Sequence, residues 1–296
     1  MKIFKKLFPA LLLGMLLLLT ACTGDEESAA EGESTEEKGS ISIGMNNWAE
    51  NIAVSNMWKL VLEEKGYDVS LEPVEKAILY EGLSSGDLDI GMEIWLPNTD
   101  KSFFDKYEEE IEWRETWYEG TELALVVPSY MEDINSIEDL KANQELFDSE
   151  IIGIDPGSSL MGLTEEVVSE YNLDYDLTPS SEPSMIAELK NRIKSEEPIV
   201  VTLWKPHWVF AEMDLKILEE PKNIYGDSEN ILYATRQGLE DDHPEVVEWF
   251  DNFMLNDAQL GSLMADLNEA DSEQAGAQKW IDENQDLINE WIGESE

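Results

Sequence analysis

The stretch "ISIGMNNWAENIAVSNMWKLVLEEKGYDVSLEPV", Ile41 to Val74, decides the fold. Its first residues, Ile41 to Met45, form a short apolar run that reads as a strand. Ile52, Val54, Met57, Trp58, Leu60, Val61 and Leu62 then recur at helical spacing, and "DVSLEPV" returns to a strand pattern. Downstream, "KAILYEGLSSG" reads as a short helix closed by glycine, and "LDIGMEIW" as a third strand ending at Trp95. The series is βαβαβ. Each strand runs into a loop at its carboxyl end, the edge at which open α/β sheets bind ligands.

A second series begins at "ELALVVPSYM", with "SEIIGIDPG" and "PIVVTLW" as strands and "SLMGLTEEVVSEYN" and "SMIAELKNRIKS" as helices. "NILYATRQG" reads as a strand returning to the first series, followed by "HPEVVEWFDNFML", "AQLGSLMADLNEA" and "EQAGAQKWIDENQDLINEWIGE" as three amphipathic helices. Trp249, Trp280 and Trp291 fall at apolar positions of those helices and are expected in the core. The expected architecture is α/β with two lobes, each a sheet flanked by helices. Lobe I comprises residues 40–121 and 231–296, lobe II residues 122–230, and the crossings near Thr121 and Ile231 are an expected hinge.

The N-terminus places the chain in a compartment. Residues 1–21 have a basic start and an apolar run, the pattern of a secretory signal and too short for a confident membrane span. The chain's one cysteine, Cys22, follows Leu19-Thr20-Ala21, which resembles the lipobox of bacterial lipoproteins and makes Cys22 the expected lipidated terminus. Residues 22–39 are polar and acidic, without aromatics, and are expected to act as a disordered tether. With 66 acidic against 19 basic residues the formal net charge is −47, a surface that repels nucleic acid and fits a saline exterior.

No motif for catalysis stands out. The two histidines, His207 and His243, lack a metal-ligand spacing, and neither a G-x-S-x-G elbow nor a phosphate loop occurs. An enzyme is therefore not expected, nor any metal or other cofactor. Tryptophans at strand ends are the stronger signal: Trp48 in "GMNNWAEN", Trp95 in "GMEIWLPNT" and Trp204 in "VVTLWKPHW". Three indoles at carboxyl edges, two in one lobe and one in the other, would converge at a cleft. Their faces suit a cation whose charge is spread over methyl groups, each attracting it by about 0.5 to 2 kcal/mol. On this reading carboxylates are not needed beside the cation. "GIDPGSSLMG" sets Gly157, Ser158 and Ser159 at a helix start, where free N–H groups suit a carboxylate, although plain capping by Ser158 or Ser159 explains the same residues equally well. His207 would add a donor, so that the site takes both ends of a betaine.

Taken in order, "GMNNWAEN", "GYDVSLEPV", "LSSGDLDIGMEIWLP", "LALVVPSYM", "SIEDL", "GIDPGSSLM", "EPIVVTLWKPHW" and "DHPEV" resemble the substrate-binding proteins of glycine betaine/proline betaine ABC transporters, a type II periplasmic-binding-protein fold. The resemblance covers Ile41 to about Leu255. It implies a tryptophan cage for a trimethylammonium group at Trp48, Trp95 and Trp204, and a carboxylate held by the turn at Gly157 and Ser158 with His207. It also implies docking of the closed, ligand-bound form on a membrane permease. One departure stands out: relatives often carry a histidine after "WLP", where this chain has Asp100 in "WLPNTDK", and an ionised Asp100 is expected to repel the ligand's carboxylate. Trp208 is expected to pack behind the cage.

Overall fold

The computed structural model describes residues 38–294. Cys22, the leader and nearly all of the expected tether lie outside the described residues. The first series runs β1 (Gly39–Met45), α1 (Ala49–Glu64), β2 (Tyr67–Pro73), α2 (Lys76–Ser85), β3 (Ile90–Leu96), α3 (Lys101–Tyr107) and β4 (Ile111–Glu119). The second runs β5 (Glu122–Pro128), α4 (Ile137–Ala142), a 3-10 turn (Gln144–Phe147), β6 (Glu150–Ile152), α5 (Ser159–Glu170), β7 (Asp176–Thr178), α6 (Glu182–Ser195), β8 (Val201–Lys205), α7 (Val209–Glu212) and β9 (Leu215–Ile217). The chain then returns with β10 (Asn230–Arg236) and ends in α8 (Leu239–Asp242), α9 (Pro244–Asp251), α10 (Asp257–Glu269), α11 (Glu273–Glu283) and α12 (Gln285–Trp291).

Two five-stranded sheets result, ordered β2-β1-β3-β10-β4 and β7-β6-β8-β5-β9. In the first, β1 lies parallel to β2 and β3, while β10 runs antiparallel to β3 and β4. In the second, β6 is parallel to β7 and β8, and β5 is antiparallel to β8 and β9. This is the two-lobe α/β architecture read from the sequence. The chain passes between sheets at Gly120–Thr121, whose N–H groups both donate to the Glu229 carbonyl, so the two crossings lie side by side.

Strand β4 was not foreseen. Its acidic stretch "IEWRETWYE" lacks a clean alternation because it is the edge of its sheet, where charged side chains face water and protect the open edge. The last helical pattern also divides in two, α11 and α12, at Asn284.

The C-terminal helices pack back on α1. Trp58 is fully buried and stacks on Phe250 at 4.1 Å, with Phe253 and Trp291 completing the cluster. Gly276 lets α11 meet α10 closely: a Cβ there would stand 2.5 Å from the Asp266 carbonyl oxygen. Trp249, Trp280 and Trp291 are all buried, as expected of core residues. Trp280 also donates its indole N–H to Ser262 Oγ at 2.8 Å. Trp280→Ala is therefore expected to cost about 3–5 kcal/mol of stability. Denaturant melts would show that loss, and ligand affinity of the folded fraction should be unchanged. Among the described residues no helix is long and apolar enough to cross a membrane.

Candidate functional site

The carboxyl ends of β1, β3 and β8 bring the three strand-end indoles to one place. Trp48 sits in extended conformation at the N-cap of α1, Trp95 is the penultimate residue of β3, and Trp204 occupies the same position in β8. All three are buried and face a single small cavity between the sheets. The Trp48 and Trp204 rings lie 6.5 Å apart at 66°, an edge-on arrangement that leaves ring faces for the cavity. Leu123, Ile154 and Leu160 complete its apolar wall.

The polar wall was missed in the sequence. Trp204 Nε1 donates across the lobes to Glu50 Oε1 at 2.9 Å, and Trp95 Nε1 donates to Glu93 Oε1. Both carboxyls are almost fully buried and line the cavity. On the sequence reading the cation needs no carboxylate; the two carboxyls here serve the indole edges, because a buried N–H needs an acceptor. Burial, followed by repulsion from Glu93 and Glu182, pushes the Glu50 carboxyl well above the usual range. Burial likewise raises Glu93 to about 7, against the opposing pull of the Lys76 ammonium.

Asp100 also departs from expectation. It is fully buried on the cavity wall, 2.8 Å from Lys76 Nζ, and its Oδ2 accepts the Trp95 backbone N–H at 2.8 Å. Its Oδ1 accepts from Ser159 Oγ of the other lobe at 3.3 Å. The repulsion foreseen for a bare carboxylate is thus offset by a buried cation that the sequence reading did not single out. Lys76 further donates to the Glu93 carbonyl and stands 5.3 Å from the Trp48 ring.

At the start of α5 both local readings are present. Ser158 Oγ accepts from the Met161 N–H at 3.3 Å, so it caps the helix. The N–H groups of Ser159 and Leu160, in the first turn, have no intrahelical partner, and both residues border the cavity together with Ser158. Gly157 itself is exposed and opens on an adjoining depression with Asn46 and Glu75. The seat for an anion in this arrangement therefore lies slightly further along the turn than Gly157.

His207 is buried, yet it does not border the cavity. Its Nδ1 accepts from the Val209 N–H at 3.2 Å, which leaves the proton on Nε2, 3.1 Å from Glu182 Oε1. Glu182 Oε2 in turn accepts the Ala49 N–H at 2.9 Å, so lobe II caps the first turn of α1 in lobe I. With its ring edge-on to Trp204 at 4.9 Å, His207 supports that indole from behind instead of facing the cavity. Trp208 is half-buried outside the cage, under the Lys190 ammonium at 4.5 Å. Among the described residues, no three His, Cys, Asp or Glu side chains are grouped to hold a metal ion.

Residues 39–283 match the family described as the substrate-binding domain of ABC-type glycine betaine transport systems. A glycine betaine/carnitine transport binding protein, GbuC, of Listeria monocytogenes is 39% identical over 144 residues, 48% of each chain, so the match spans about half the length of that relative. Lactococcal OpuAC, solved in its closed-liganded conformation with glycine betaine, superposes with a TM-score of 0.81 at 33% identity, covering 86% of this chain and 99% of that one. The glycine betaine/L-proline-binding protein ProX of Borrelia burgdorferi gives 0.81 at 36% identity, covering 85% and 96%. With its two mixed sheets and the indoles gathered between them, the chain belongs to the substrate-binding domains of ABC-type glycine betaine transport systems.

Proposed function

We propose that this protein captures glycine betaine, or a close quaternary-ammonium relative, between its two lobes and delivers it to a membrane permease for protection against osmotic stress. The observation that carries the reading is the convergence of Trp48, Trp95 and Trp204 on one small space that also meets the first turn of α5. The indole faces take the trimethylammonium group, and the free N–H groups of Ser159 and Leu160, with Ser158 beside them, take the carboxylate. His207 and Glu182 hold Trp204 and the closed arrangement of the lobes. Cys22 would tether the mature chain to the outer face of the membrane through a lipid, the acidic segment after it serving as spacer.

Choline, carnitine, proline betaine and sulfonium osmolytes fit the same cage to different degrees, and choline would leave the α5 turn unused. Calorimetric titration of the mature protein with each, at low and high salt, tests the reading. Saturable binding of glycine betaine that changes little with salt is expected, since buried contacts are weakly screened. Absence of saturation with every quaternary or sulfonium ligand would overturn it.

A further inference from the structure

Behind the cage lies a pair of acids whose geometry is incomplete as two carboxylates. Glu50 on α1 and Glu93 on β3 each commit one oxygen to an indole N–H, Trp204 and Trp95 respectively. Their other oxygens, both Oε2, are buried without any donor. Both residues line the same cavity, and the two carboxyls act on each other's ionisation. Two ionised carboxylates there would repel and leave both orphan oxygens without a donor, whereas one proton kept on the pair removes the repulsion.

The surroundings favour keeping that proton. Lys76 on α2 is the cation nearest the pair, and its charge is already matched by Asp100 at 2.8 Å. Glu182 on α6 adds a further negative charge that acts on Glu50 and is itself faced by His207. Tyr80 and Tyr118, which also feel these carboxyls, are held in their neutral form by burial.

We propose that Glu50 and Glu93 form a specificity element of the site, holding one shared proton while the cage is empty and releasing it when a quaternary cation enters. The inference rests on the cation-cage reading above. The balance is an exchange of one positive charge for another: the carboxyl O–H bond breaks, the proton passes to solvent, and the ligand's cation takes the place of the one unit of positive charge that the proton had supplied to the pair. A quaternary ammonium group has no proton to donate, so it can favour only the ionised form of the pair. Affinity therefore rises with pH through the neutral range and levels off once the pair is ionised without ligand. Choline gains more from this exchange than glycine betaine, whose own carboxylate offsets part of its charge.

The experiment is calorimetric titration of the mature protein with choline and with glycine betaine between about pH 5.5 and 8.5, in phosphate and in Tris, whose ionisation heats differ. The expected result is a binding heat that depends on buffer, with release of up to one proton per ligand. Kd should fall by up to roughly tenfold per pH unit at the acidic end and become flat above neutrality, with the steeper slope for choline. Glu93→Gln keeps an acceptor for the Trp95 indole but cannot exchange the proton, so its remaining binding should lose the pH slope. Glu50→Gln serves the same purpose should the first variant not fold, and the wild-type buffer dependence stands without either. Binding by the wild-type protein with a pH-independent Kd and no buffer-dependent heat would overturn the proton exchange and leave the cage reading intact. Failure of every quaternary ligand to bind at any pH would overturn both.

Discussion

Trp204→Ala is expected to weaken glycine betaine binding by about 100-fold or more while leaving the protein folded. Two losses combine in this variant. The ring face contributes up to about 2 kcal/mol to a desolvated cation. The bond from Trp204 Nε1 to Glu50, which joins the lobes at 2.9 Å, is of the charged-acceptor kind worth roughly 1.5–3 kcal/mol. Since each 1.4 kcal/mol is about tenfold, the two together exceed two decades. The substitution also leaves Glu50 without its donor in a buried place, which strengthens its hold on a proton and works against the cation. Trp48→Ala removes a ring face but not this bridge, so its effect should be smaller than that of Trp204→Ala. Titration followed by tryptophan fluorescence checks the order, and a Trp204→Ala protein binding as tightly as wild type would rule out Trp204 as a wall of the cage.

Lys76→Met is expected to destabilise the fold by about 3–5 kcal/mol, because it strips the cation from a fully buried Asp100. For a protein of this size that is a fall in melting temperature on the order of 10 °C. Adding Asp100→Asn should recover most of the loss, since the orphaned charge goes and one oxygen remains for the Trp95 backbone N–H. A thermal or urea double-mutant cycle measures the coupling. If the double variant were no more stable than Lys76→Met alone, the pair would not be the balanced unit described above. Lys76 also lowers Glu93, so its removal should move the pH dependence of binding to higher pH.

The fold was legible because its signals are local. Apolar runs of strand length alternate with helical spacing from Ile41 onward, and the return strand at Asn230–Arg236 has a clean apolar pattern. Strand β4 was hidden because an edge strand has little reason to alternate. The indoles were legible too, since Trp48, Trp95 and Trp204 each follow or close a strand run. Their acidic partners were not. With 66 acidic residues in the chain, Glu50 and Glu93 carry no distinguishing composition, and their partners lie 154 positions away for Glu50 and two for Glu93. One signal was available: Glu93 is the single charge in "IGMEIWL", a run too apolar to face water on either side. Lys76 had none, because its pairing with Asp100 depends on how α2 lies against the loop after β3. His207 was read as a carboxylate donor from its chemistry and from the resemblance carried by "KPHW". Its bonds to Glu182 and to the Val209 N–H instead place it behind the Trp204 indole, contacts that no local pattern announces.

On the proposed function the indoles bind a positive charge and not only a shape. Tert-butylacetate tests it most directly, since it matches glycine betaine atom for atom with carbon in place of the quaternary nitrogen and keeps the carboxylate. Calorimetric titration of the mature protein with both should show saturable binding of glycine betaine and none of tert-butylacetate at the same concentrations. Equal binding of the two would contradict the cation cage and reduce the three indoles to an apolar pocket.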